Sequence, residues 1–204
     1  MTLGSYAVPP APYVALCARQ PMACGDDLEA TRAAALRAEA ELAALASGAP
    51  MDIGAAAVPP AARGPAAEAP MTAELAAILD DVNRRVNRAI RPVKDHPARD
   101  RWSLPLADGR RAGDCEDYAL EKLRALVARG VPRAVLNLAT AHTTWGENHA
   151  VLLVATSEGE FVLDNLDPKV RRWDETSYRW GKRQVNGAAF DWVMVRNRPA
   201  AAGD

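Results

Sequence analysis

The apolar period of this chain changes once, near Ala134, and that change limits the possible folds more than any other feature. Before it, Thr72 opens a helix in which Leu75, Ile78, Leu79, Val82, Val86 and Ile90 recur at three- and four-residue steps until Pro92 closes it. A polar loop from Lys94 to Asp108 leads to Gly113-Asp114-Cys115-Glu116-Asp117-Tyr118. Ala119, Leu120, Leu123, Leu126 and Val127 then keep helical spacing up to the stop at Gly130-Val131-Pro132. After the change come short β-rich runs, Val135 to Ala141, His149 to Ala155 and Glu160 to Leu163, with Ser157 to Glu160 as a hairpin turn, and a last strand at Asp191 to Arg196. Helices followed by hairpin-linked strands predict an α+β fold on an antiparallel sheet.

Nine of the eleven aromatic residues lie after position 101, so the packed core is expected mostly in the C-terminal half. Paired acids and strong helix formers predict one further helix over 26–46, with a face made mostly of alanine. Between Ser47 and Pro70, five Pro, three Gly and nine Ala read as a linker. The expected organisation is an N-terminal segment over 1–70, a folded domain over 71–198 and a frayed tail over 199–204. The 25 basic and 26 acidic residues nearly cancel, which argues against nucleic acid as a partner, and no apolar run is long enough to span a membrane. The first eighteen residues are uncharged, but Pro9, Pro10 and Pro12 interrupt them and no basic stretch precedes them, so they are not expected to act as a secretory signal.

Cys115 falls on the first turn of its helix, where the positive end of the macrodipole favours a thiolate. A lone cysteine is more often a small buried hydrophobe. Two other residues shift the balance. His149 opens an apolar strand and Asp164 ends the next one, so the hairpin brings both to its open end. One imidazole nitrogen can then hold the carboxylate while the other faces the helix bearing Cys115, which is the logic of nucleophile, base and orienting acid. His96 is expected in a solvated loop and His142 at the rim of the site, with Trp102 and Trp145 as candidate cleft residues beside the commoner core role of tryptophan.

Gly113 to Ala119, Asn148-His149-Ala150-Val151-Leu152 and Val162-Leu163-Asp164-Asn165-Leu166 together resemble the signature of the bacterial transglutaminase-like cysteine peptidases, the LapG-type proteases. The Cys17 to Cys24 segment, Val82-Asn83 with Val86-Asn87, Trp102, and Tyr178 with Arg183-Gln184 also resemble family features. The resemblance implies a papain-like, transglutaminase-type core in which the nucleophile-bearing helix packs on the sheet. It implies Cys115 as nucleophile, His149 as general base and Asp164 as its orienter. It further implies a periplasmic protease that cleaves a protein substrate, a large surface adhesin whose release disperses biofilm, with a regulatory receptor at the inner membrane as a second partner.

Asp114, Glu116 and Asp117 oppose ionisation of the neighbouring thiol, although acids suit a helix first turn. Capping with solvated carboxylates is the plain reading. A bound calcium would remove the conflict, and the resemblance implies regulatory calcium on Asp114 and Glu116. Cys17 and Cys24 enclose a short loop that a disulfide can close in an oxidising compartment, leaving Cys115 as the odd thiol. A structural zinc site on Cys115, His149 and Asp164 is disfavoured, since such sites use two or more thiolates in close pairs. Two alternatives remain beside the protease: transglutaminase-type acyl transfer to an amine, and a non-catalytic protein-binding module, against which the intact trio stands.

Overall fold

The computed structural model describes residues 1–48, 64–96 and 100–197. The expected tail over 199–204 and most of the expected linker, residues 49–63, lie outside them. Seven strands form an antiparallel sheet: β1 (Thr2–Tyr6), β4 (Leu136–His142), β5 (Asn148–Thr156), β6 (Gly159–Leu163), β7 (Arg171–Arg172), β8 (Arg179–Val185) and β9 (Ala188–Arg196), in the order β1-β9-β8-β4-β5-β6-β7. The short β2 (Arg91–Pro92) and β3 (Ala112–Gly113) make a separate parallel pair.

The fold is the expected α+β class. Three of the expected strands form within one residue of their boundaries, whereas β9 starts at Ala188, three residues before the expected Asp191. The turn at Ser157-Glu158 joins β5 to β6, with Thr156 opposite Gly159, whose φ of 107° favours glycine. β5 is buried along nearly all its length because both faces of the sheet are covered, which explains its continuous apolar run. One face carries Leu138, Leu152, Val154, Leu163 and Trp192 against the helices, and the other buries Ala139, Val151, Leu153, Val162 and Trp180.

Among the described residues, four α-helices accompany the sheet: α1 (Ala11–Arg19), α2 (Leu28–Ser47), α3 (Ala73–Ala89) and α4 (Cys115–Val127). Asp27 caps α2 by accepting from the Ala30 amide at 2.9 Å, and Thr72 caps α3 by accepting from the Leu75 amide at 3.1 Å. α4 packs between β5 and α3. Its approach is fixed by β2 and β3, which set Arg91 beside Ala112 and Pro92 beside Gly113. Two buried acids on α4 strap down the preceding loop. Asp117 accepts from the Ser103 amide and hydroxyl at 2.7 and 2.9 Å, and Glu121 accepts from the Leu106 and Ala107 amides at 2.7 and 3.1 Å. Gly113 is needed here, because a Cβ on it would meet Asp117 Oδ2 at 2.1 Å.

Helix α1 was not expected. The prolines that interrupt the first eighteen residues sit at its start, where a missing N–H costs nothing, and its Tyr13, Val14, Leu16 and Cys17 are buried. Tyr13 stacks edge-on against Trp102 and Trp192, with ring centroids 5.3 and 5.6 Å away. β1 pairs with β9 at the sheet edge. Cys17 and Cys24 form a disulfide, and Cys115 is the free cysteine among the described residues.

Candidate active site

The hairpin brings His149 and Asp164 together as expected. Leu152 pairs with Leu163 in the register, so the next residue, Asp164, falls diagonally across from His149. His149 Nε2 and Asp164 Oδ1 are 2.9 Å apart, and both side chains are buried. The Tyr178 hydroxyl donates to Asp164 Oδ2 at 2.5 Å, and its ring meets the His149 imidazole edge-on at 5.3 Å. The Leu166 amide donates to Oδ1 at 2.9 Å. Burial would raise the Asp164 pKa, but the hydrogen bond and charge of His149, followed by Tyr178 and Leu166, hold it below the usual carboxylate range.

Cys115 is the first residue of α4 and lines a cleft of about 880 Å³ together with His149, Asp114, Glu116, His142 and Trp102. Because His149 turns Nε2 to the carboxylate, Nδ1 is the nitrogen left for a proton from sulfur. His142 stands at the rim and is half-buried, whereas Trp102 is a buried wall residue. Trp145 is exposed and lines a smaller adjoining pocket with Tyr178. His96 is on an exposed loop.

The acids beside the thiol do not behave as ordinary caps. Asp114 is the N-cap residue of α4, yet its side chain makes no capping bond. Its Oδ2 accepts from the Asp95 amide at 3.0 Å, and its buried Oδ1 has no hydrogen-bond partner. Glu116 Oε2 lies 3.1 Å from the sulfur, and its carboxyl is also hydrogen-bonded to Asp100 and Asp114. Burial, the Asp100 bond and the Asp114 charge push Glu116 up to about 9. Burial, and then the Glu116 carboxylate, push the Cys115 thiol well above its usual range, although the Ala150 amide favours the thiolate. Asp117 turns away to Ser103 and takes no part in this cluster. Asp95 and Asp100 join the cluster from the loop before α4, a role that their polar surroundings in sequence did not mark.

Among the described residues no three His, Cys, Asp or Glu side chains converge at metal-ligand spacing. Asp114 Oδ1, an orphaned carboxylate oxygen beside a second buried carboxyl, nonetheless fits a hard cation.

A cysteine at the start of a helix packed on an antiparallel sheet, with an imidazole and carboxylate presented by the neighbouring hairpin, is the layout of the papain-like α+β class. The chain belongs to the bacterial transglutaminase-like cysteine proteinase family, whose model matches residues 60–200. Among solved structures, EGTA-treated LapG of Legionella pneumophila is 29% identical, with a TM-score of 0.48 over 52% of this chain and 61% of that one. Calcium-bound Legionella pneumophila LapG is 24% identical, with a TM-score of 0.51 over 63% of this chain and 73% of that one. The chain thus spans about three fifths of the EGTA-treated LapG chain. A search of curated proteins finds no match.

Proposed function

We propose that this chain is a thiol protease in which Cys115 is the nucleophile, His149 the general base and Asp164 its orienting acid. The observation that carries this reading is the 2.9 Å contact between His149 Nε2 and Asp164 on the cleft that Cys115 lines. His149 Nδ1 takes the thiol proton, and the sulfur attacks the scissile carbonyl carbon. Unpaired amides in the first turn of α4 face the developing oxyanion. The imidazolium returns its proton to the leaving amine, which departs and leaves a thioester on Cys115. Water then gives a proton to the same imidazole and attacks the thioester, releasing the acid and restoring the thiol. Asp164, ionised and held by Tyr178 and the Leu166 amide, keeps Nδ1 free for this traffic.

Asp114 and Glu116 would hold calcium, supported by the orphaned Asp114 oxygen and by the calcium-bound LapG of the same fold. The ion would supply positive charge against the carboxylates that oppose thiolate formation. A large surface adhesin is the substrate and the periplasm the location that family membership favours, with an inner-membrane receptor as regulator. The Cys17–Cys24 disulfide agrees with an oxidising compartment, and no helix among the described residues is long and apolar enough to cross a membrane.

The test uses the purified chain and the N-terminal region of such an adhesin. Cys115→Ala should abolish cleavage and leave the circular dichroism spectrum unchanged. Cleavage by the alanine variant at the wild-type rate would end this reading.

A further inference from the structure

The cleft crosses the sheet from strand to strand. Its lining residues come from neighbouring elements in sheet order: Lys182 on β8, Thr140 on β4, His149 and Ala150 on β5, and Leu166 after β6. Cys115 meets the sheet at Ala150, whose amide is hydrogen-bonded to the sulfur. Ala150 stands opposite Thr140 in the register. Thr140 in turn joins β8, its hydroxyl accepting from the Lys182 amide at 3.1 Å and donating to the Lys182 carbonyl at 3.2 Å. Lys182 is therefore two strands away from the nucleophile's place on the sheet, about 10 Å at the usual spacing of about 4.8 Å between strands.

Two lysines line the cleft, and they differ in their partners. Lys94 is paired with Glu147 at 2.7 Å, whereas Lys182 has no carboxylate at ion-pair distance among the described residues. The Lys182 Nζ donates to the Val8 carbonyl at 2.6 Å, and an ammonium has three donors, so two remain. The side chain is half-buried, and burial lowers the pKa of its ammonium. Holding Val8, which sets Pro10 on the cleft wall, calls for a donor but not for a charge. A charge taken partly out of water without an opposite partner costs stability, so folding does not account for it. Asp95, Asp100, Asp114 and Glu116 gather beside Cys115, and the charge on the cleft wall therefore changes sign between the nucleophile and β8.

We propose that Lys182 is a specificity-determining residue, which binds the side-chain carboxylate of an Asp or Glu in the substrate about three residues from the scissile bond. The spacing follows from the geometry, because an extended peptide rises about 3.3 Å per residue and needs about three residues to cover two strand spacings. The bond is charge-assisted and supplies the acid that the lysine lacks in the free protein. The inference rests on the protease reading above and deepens it by naming one feature of the substrate.

The test incubates the purified chain, at neutral pH with calcium present, with peptides from a tryptic digest of a whole proteome and reads the new ends by mass spectrometry. Wild type should cut most often where Asp or Glu stands about three residues from the bond. On peptides matched except for Glu, Gln or Lys at that position, wild type should favour Glu over Gln about tenfold in kcat/KM, the effect of one charge-assisted hydrogen bond. Lys182→Gln, which keeps a donor for Val8 without the charge, should abolish that preference, and Lys182→Glu should favour Lys over Glu. Circular dichroism checks the fold of each variant, and either one decides the matter if the other does not fold. Cutting by wild type with no acidic preference, or a preference that survives in a folded variant, would overturn the proposal and leave the protease reading standing. Failure of both variants to fold would also overturn it and make Lys182 structural. Cys115→Ala serves as the control: cuts that persist in it, or no cuts by wild type, would end the protease reading itself.

Discussion

Asp164 shows how a buried acid stays charged. Its carboxyl is desolvated, yet it accepts from His149, Tyr178 and Leu166, and these bonds outweigh the burial. The consequence for stability has a definite sign. The folded pKa lies below the ordinary value of 3.8, so ionisation adds stability that is fully present above that value and is lost as pH falls through the folded one. The difference in unfolding temperature between wild type and Asp164→Asn should be widest at neutral pH and should close in acid. A difference that stays constant into strong acid would mean that the carboxylate adds nothing through its charge. His149 and Asp164 were legible in sequence because each sits at the end of a short apolar run and one turn joins the runs. Tyr178 was legible only as a family feature, since its distance along the chain gives no sign that it bonds to Asp164.

Among the elements, α3, α4 and the β5–β6 hairpin follow directly from apolar spacing and their stop signals. β8 and α1 do not. β8 buries Arg183 and Gln184 inside the sheet, so the alternation of apolar and polar residues that marks a strand is missing. Arg183 pairs with Glu160, and Gln184 bonds to the Leu138 amide and the Tyr13 hydroxyl, contacts formed only after β4, β6 and α1 have assembled around them. Of the prolines that obscured α1, Pro9 and Pro10 precede it and Pro12 is its second residue, and its C-terminal end is tied by the disulfide from Cys17 to Cys24, seven positions on. Closing so short a loop removes little unfolded-state entropy. Replacing both cysteines with serine should therefore cost about 2 kcal/mol, read as a lower midpoint in denaturant with the slope unchanged. An unchanged midpoint would show that the packing of α1 alone holds the segment.

In the molecule as a whole, the cleft is formed where the start of α4, the loop before it and the open end of the hairpin meet, and the same place gathers Asp95, Asp100, Asp114 and Glu116. Like charges crowded beside a thiol resist both folding and ionisation, and a bound cation would relieve both. If calcium binds there, it binds the native state and stabilises it by mass action, because the unfolded chain has no preformed site. EGTA should lower both the rate of cleavage and the unfolding temperature, added calcium should restore both, and Asp114→Ala or Glu116→Ala should mimic the chelator. Full activity in excess EGTA, with no calcium-dependent shift in unfolding, would remove the regulatory reading.

The order of Cys115, His149 and Asp164, the helix that carries the thiol and the hairpin that pairs the other two are all written in local spacing, because period, turn chemistry and helix stops act over only a few residues. The way the acids next to the cysteine are used was not. The sequence allowed helix caps, but in the fold Asp117 and Glu121 anchor the preceding loop, and Asp114 and Glu116 join acids from that loop beside the sulfur. That division depends on which carboxylates meet backbone amides and which meet other carboxylates after the 100–111 loop folds onto α4. Such encounters depend on burial and long-range approach, which the spacing of residues along a chain does not encode.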